Sequence, residues 1–180
     1  MASINQLSLA KGLTAKAETV CDGIEAGEAP ILEQVSEITA ALLKWWFQAD
    51  FQDTRSFNFH PGQRQAILNT IYAHEVLGIT RLQDLYQAAA PDVMLASTRD
   101  SEIIRARKNA YPKYCLKMAT GTGKTWVLQA LMIWQVLNAN RAPESQRFTK
   151  NFLVVAPGLI VYDRLLDAFM GKERDGKRDF

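Results

Sequence analysis

"LKMATGTGKTWVLQALMIW", residues 116–134, joins a short apolar run to Gly-Thr-Gly-Lys-Thr and then to a long amphipathic stretch. A chain reads this way when its backbone must wrap around a phosphate. Gly121 and Gly123 tolerate positive φ, so consecutive N–H groups can converge on the β- and γ-phosphates of a nucleotide. Lys124 reaches the same oxygens as a point charge, and Thr125 offers its hydroxyl to Mg²⁺. Thr120 and Thr122 complete the loop, and a helix starting at Lys124 points its positive end at the anion. At the first position of the G-x-x-x-x-G-K-[ST] pattern, usually Gly or Ala, this chain has Met118. The bland alternative is a Gly-Thr turn that links a strand to a helix and binds nothing.

Outward from this loop, Tyr114–Met118 is a short buried-strand candidate and "NFLVVAP" (151–157) a continuous apolar strand ended by Pro157-Gly158. A helix over 124–139 separates them. A second, from Leu159 to about Met170, carries Ile160, Val161, Leu165, Leu166 and Phe169. Apolar, non-alternating strands divided by a helix predict an α/β fold whose parallel sheet is covered on both faces. Upstream, Ile31, Val35, Ile38, Leu42, Trp45 and Trp46 recur at three- and four-residue steps, which predicts a helix over 31–48 with a docking stripe. The turn His60-Pro61-Gly62 opens another helix, with Ala66, Ile67, Ile71, Val76 and Leu77 on its apolar face and Gly78 as its stop. Shorter helices are predicted at 81–89 and 101–108. Residues 1–30 look like a loose arm with one weak helix, and the tail "GKERDGKRDF" is charged and patternless.

Composition narrows the function classes only a little. Almost half the chain is apolar, 22% is charged and the net charge is +2, so any basic surface for a polyanion must be local. Arg99, Arg105, Arg107, Lys108, Lys113 and Lys117, with Tyr111 and Tyr114 interleaved, are the one stretch that fits a nucleic-acid groove; a solvated face is the alternative. Cys21 and Cys115 lack metal-ligand spacing, and Cys115 within "YCLKM" reads as a small buried residue. His60 and His74 have no partner at metal spacing. The absence of a secretory pattern and of a long apolar run predicts a cytoplasmic chain without a membrane segment.

"FHPGQRQAI" (59–67), "MATGTGKT" (118–125) and "FLVVAPGLIVYDRL" (152–165) resemble, in that order, three N-terminal motifs of superfamily 2 helicases. The likeness is greatest to the helicase-like restriction subunit of type III restriction enzymes and its DEAD/DEAH-type relatives, where Met is familiar at the position of Met118. It covers Phe57 to Phe169 and extends to "LLKWWF" ahead of them. The resemblance implies a partial RecA-like P-loop domain preceded by an N-terminal helical segment. The domains it implies are an arm and helix over 1–52, then an incomplete ATP-binding domain over 53–180 with a helical insertion at about 79–110. It also implies ATP and Mg²⁺ as cofactors, duplex DNA as partner of the full-length form, and a modification or specificity subunit.

Residue by residue, the resemblance gives Gln63 the adenine edge, which an amide suits because it carries both a donor and an acceptor. A residue that merely starts a helix is the alternative for Gln63, and Arg64 is either a phosphate contact or a solvated charge. Phe57 and Phe59 are candidates to stack on the base or to pack in the core. The resemblance places Pro157 and Gly158 against a nucleic-acid backbone; an ordinary strand-to-helix turn is the other reading. Asp163-Arg164 reads as an exposed helical pair.

Relatives of this kind continue into a strand ending in Asp-Glu-x-His, whose Asp holds Mg²⁺ and whose Glu orients water. No such segment occurs between Gly158 and Phe180. The expectation is a front piece of a DNA-dependent ATPase that turns over little ATP alone, with Lys124 and Thr125 as its catalytic residues. Two other classes stay open: a non-catalytic nucleotide-binding module, and another P-loop enzyme such as a small-molecule kinase.

Overall fold

Local signals set most helix ends in the computed structural model, which describes residues 6–96, 98–111, 113–174 and 177–179. The chain divides into two compact units, Met1–Ala119 and Thr120–Phe180. Met1 to Asn5 of the expected arm, and Asp175, Gly176 and Phe180 of the tail, lie outside the described residues.

The N-terminal unit is helical. Helix α1 (Gln6–Cys21) occupies most of what the sequence presents as a loose arm. It packs against α4 (Pro61–Ile71) and α5 (Leu82–Ala89). Gly12 permits the approach to α5: a Cβ there would lie 1.8 Å from the Ala89 carbonyl oxygen. Thr14 Oγ1 accepts a hydrogen bond from Asn69 Nδ2 at 2.8 Å. Leu9 and Leu13 join a cluster built on Ala73, Ile79 and Leu85. A second cluster, of Tyr86, Ala90 and Ile104, takes in Val93 of α6 (Pro91–Ala96) beside α7 (Thr98–Arg105). The weak polar pattern of residues 6–21 concealed a docked helix, because its contacts come from small residues and a few leucines rather than from a broad apolar stripe.

The expected helix over 31–48 is two elements. A 3₁₀ turn spans Pro30–Glu33, and Ser36 then starts α2 (Glu37–Phe47) by accepting the Thr39 N–H on its Oγ at 3.0 Å. Such a cap satisfies one of the donors that every helix start leaves open. Leu43, Trp46 and Phe47 turn inward and Trp45 outward, so the aromatic end is largely a docking face. After α3 (Ala49–Gln52) the chain reaches α4, whose last turn widens into a π turn over Tyr72–Val76 before Gly78 stops it at φ +61°.

That π turn holds Glu75, a buried carboxylate. Its Oε2 accepts the Ser36 N–H at 2.9 Å, and its Oε1 accepts the Thr39 hydroxyl at 2.5 Å. Thr39 is fully buried. A charge-assisted network of this kind ties the end of α4 to the start of α2, and a buried acid is retained only with such partners.

In the second unit α8 (Lys124–Arg141) starts where the 124–139 reading placed it, and α9 (Leu159–Met170) matches its expected span. Gln129 Nε2 donates to the Ala168 carbonyl between them, and the Trp134 and Phe148 rings meet edge to face at 5.9 Å. The tail holds β1 (Lys172–Arg174) paired antiparallel with β2 (Lys177–Asp179).

The expected α/β, RecA-like parallel sheet is overturned. Neither Tyr114–Met118 nor 152–156 is a strand, and the described strands are confined to the short antiparallel tail pair. A central parallel strand buries both faces, yet Leu153 is 89% and Val155 79% exposed. A continuous apolar run reports that a segment favours burial. It becomes a strand only when neighbours supply the ladder of hydrogen bonds, and no described segment does so here.

Candidate functional site

Residues 120–123 form a turn in the second unit, and Lys124 and Thr125 are the first residues of α8. Gly121 and Gly123 both have positive φ, +80° and +68°, and Gly123 sits in the left-handed helical region with ψ +40°. A side chain at either position would be strained. The turn feeds directly into the 18-residue α8, and the Trp126 N–H bonds back to the Gly123 carbonyl at 3.0 Å. The amides of a helix's first turn face outward along its axis, where the dipole favours negative charge. Thr120 and Lys124 are exposed, Thr122 and Thr125 half-buried.

The turn fits a phosphate on two observations. Apart from Gly121 and its two chain neighbours, no heavy atom stands within 4 Å of the position a Cβ on Gly121 would take, so an anion can approach the backbone there. The one flexible cation of the turn, Lys124, is at the surface beside the helix start. Among the described residues no three His, Cys, Asp or Glu side chains converge as a metal site. Mg²⁺ typically arrives on phosphate oxygens with few protein ligands, so the Thr125 hydroxyl is the group this turn would contribute.

Pro157 and Gly158, also in the second unit, are exposed and lead into α9. Gly158 is extended, with φ −179°, a conformation open to any residue. Its carbonyl accepts the Val161 and Tyr162 N–H groups at 3.1 and 3.0 Å, an ordinary helix start. Asp163 and Arg164 are exposed, as expected.

Gln63 belongs to the N-terminal unit and is 7% exposed. Its Oε1 accepts the His60 N–H at 3.0 Å, so the side chain folds back onto the start of its own helix. Arg64 pairs with Glu25 and lies 5.8 Å above the Phe47 ring. The cleft beside it is lined by the acids Glu18 and Asp22 as well as by Pro61 and Leu68, surroundings that disfavour a phosphate. Phe59 packs edge-on against Trp46 at 6.0 Å, whereas Phe57 is exposed.

The cysteines reverse one expectation: Cys115 is exposed and Cys21 buried. Burial pushes the Cys21 thiol up to about 12, opposed by the nearby Arg64 cation. Glu75 escaped the reading of the sequence, although Ile67, Ile71 and Glu75 follow one another at helical four-residue steps. An acid on that stripe was the available signal for a buried carboxylate.

A turn with two glycines at positive φ opening a long helix has the form required of the phosphate-binding loops of nucleotide-dependent enzymes. The chain belongs to the family described as type III restriction enzyme, res subunit, whose family model matches residues 56–179. The family is helicase-like and ATP-dependent, and it acts on DNA. No curated protein and no solved structure matches the chain. Among the described residues no helix is long and apolar enough to cross a membrane.

Proposed function

We propose that this chain binds ATP through the Thr120–Thr125 turn and serves an ATP-driven motor that moves on duplex DNA in restriction. The observation that carries this reading is the pair of left-handed glycines, Gly121 and Gly123, leading straight into α8. Backbone N–H groups of the turn hold the β- and γ-phosphates, and Lys124 neutralises part of their charge. Bound Mg²⁺ would balance the remaining phosphate charge, with the Thr125 hydroxyl as a ligand. The resemblance assigns Gln63 to the adenine edge: one lone pair of its Oε1 serves the His60 N–H, the other can accept from adenine N6, and its amide N–H groups can donate to adenine N7. Pro157 and Gly158 border the nucleic acid, where the start of α9 favours a phosphate.

Calorimetry with ATP and ADP in Mg²⁺ tests the core of this reading. Hydrogen bonds to a charged group are worth about 1.5–3 kcal/mol, so Lys124→Ala should weaken nucleotide binding by roughly 10- to 150-fold while circular dichroism stays unchanged. A folded parent chain that binds neither nucleotide, or a variant that binds as tightly as the parent, would overturn it.

A further inference from the structure

The chain has 19 acidic residues, yet none falls between Ile103 and Pro143. In the N-terminal unit this acid-free stretch holds Arg105, Arg107, Lys108, Lys113 and Lys117. All five are exposed, and none takes part in an ion pair among the described residues. Beyond the end of α7 the backbone here is a 3₁₀ turn at Arg107–Asn109, with irregular chain at 110–111 and again at 113–117. Local bonds hold it in place: Asn109 Nδ2 donates to the Ile103 carbonyl at 2.8 Å, and Lys113 Nζ donates to the Lys108 carbonyl. Asp100, one of the two acids just upstream, lies near enough to Tyr86 to raise that phenol's pKa, behind its burial. Glu102, the other, is exposed. Tyr114 packs on His74, but Tyr111, between Lys108 and Lys113, is 75% exposed.

We infer that residues 105–117 are a nucleic-acid-binding segment, in which Arg105, Arg107, Lys108, Lys113 and Lys117 grip the phosphodiester backbone and Tyr111 lies against the sugar or an exposed base. This deepens the proposed function by naming a DNA-contacting surface, and it rests on that reading for the choice of DNA. Cations on an irregular, locally pinned chain can follow successive phosphates with few steric demands. Ion-paired surface charges would first have to surrender their partners, and none of these five is in an ion pair among the described residues. Tyr111 adds an aromatic face of the kind that stacks on unpaired bases without regard to sequence.

The test measures binding of a fluorescent 20-base-pair duplex to the full chain by anisotropy over a series of salt concentrations. Arg107→Gln, Lys108→Gln and Lys113→Gln together should weaken binding about tenfold or more. They should also flatten the slope of log K against log salt by about 2.7, at roughly 0.9 per phosphate contact. A control, Lys11→Gln with Lys16→Gln and Lys44→Gln, removes the same charge from exposed positions elsewhere and should leave the slope as it was. If the triple variant does not fold, Arg107→Gln alone should lower the slope by about 1. Equal flattening by the control, an unchanged slope in the variant, or a folded parent that binds anionic vesicles but not DNA would each overturn the inference. Nucleotide calorimetry is independent of all three outcomes, so the ATP-binding reading stands or falls separately.

Discussion

Gln63 caps a helix in the structure and is proposed to read adenine, and one pair of substitutions can separate the two. In the structure its Oε1 accepts the His60 N–H at 3.0 Å, and the side chain is buried at the start of α4. Gln63→Ala removes that acceptor and leaves the amide at the helix start unsatisfied. The loss of such a cap costs about 1 kcal/mol, up to about 2, which for a chain of this size lowers Tm by about 2 to 8 °C. Gln63→Glu keeps an oxygen for the His60 N–H and adds negative charge in the first helical turn, where it is favoured by about 0.3–1 kcal/mol. Burial of the carboxylate opposes that gain, so Gln63→Glu should stay within about 1 kcal/mol of the parent. A carboxylate cannot donate to adenine N7, however. Both variants should therefore bind ATP more weakly, and Gln63→Ala, which also lacks the acceptor for adenine N6, should lose the preference for ATP over GTP by about 5- to 150-fold for a contact worth 1–3 kcal/mol of discrimination. Thermal unfolding by circular dichroism and competition calorimetry with ATP and GTP give the two readouts. If Gln63→Ala keeps full selectivity and Gln63→Glu binds ATP as tightly as the parent, Gln63 is a helix cap and nothing more. If Gln63→Ala melts with the parent, the capping bond has no energetic weight.

The other expected outcomes concern the scaffold. Gly12→Ala should destabilise the N-terminal unit by about 1–3 kcal/mol, since its methyl would stand 1.8 Å from the Ala89 carbonyl oxygen. Helix propensity alone argues the opposite, a gain of about 1 kcal/mol, so a higher urea midpoint for this variant would refute the close approach of α1 to α5. The thiols should differ sharply in reactivity. Exposed Cys115 should be alkylated quickly in the native protein and buried Cys21 only on unfolding, with mass spectrometry of timed samples locating the label. Because burial pushes the Cys21 thiol up to about 12 from its ordinary value near 9.0, its contribution to stability is complete below pH 9 and is lost as pH rises from there towards 12. Burial raises Tyr72 and Tyr86 in the same direction. Chemical denaturation at a series of alkaline pH values should show stability falling above pH 9, and a flat profile would refute the burial of these groups.

Much of the helical framework was legible because its signals are local. Pro61 after His60 and Gly78 past Val76 mark the ends of α4 with its π turn, and Pro91 follows the end of α5. The turn at 120–125 was legible for the same reason: positive φ at Gly121 and Gly123 is a property that glycine itself allows. Within the expected 31–48 helix, the apolar periodicity ran straight through Ser36 and masked its capping role. Gln63 could be read as a polar helix-start residue, but nothing in its neighbours specified that His60 would occupy its oxygen.

What only the tertiary structure decided was every feature whose energy comes from a partner distant in the chain. Tyr114–Met118 and 152–156 carry the composition of buried strands, and composition sets only a preference for burial. A ladder needs a second segment at the right register, so the apolar run at 152–156 stands largely exposed instead. Glu75 tolerates burial because Ser36 and Thr39, 39 and 36 residues away, donate to it. Helix α1 docks because Gly12 meets the Ala89 carbonyl 77 positions on, with no apolar stripe to announce it. Helix ends and left-handed glycines are settled within a few residues by the backbone's own hydrogen bonds and sterics; pairing, burial of charge and close approach are settled by the residue opposite, which no local window contains.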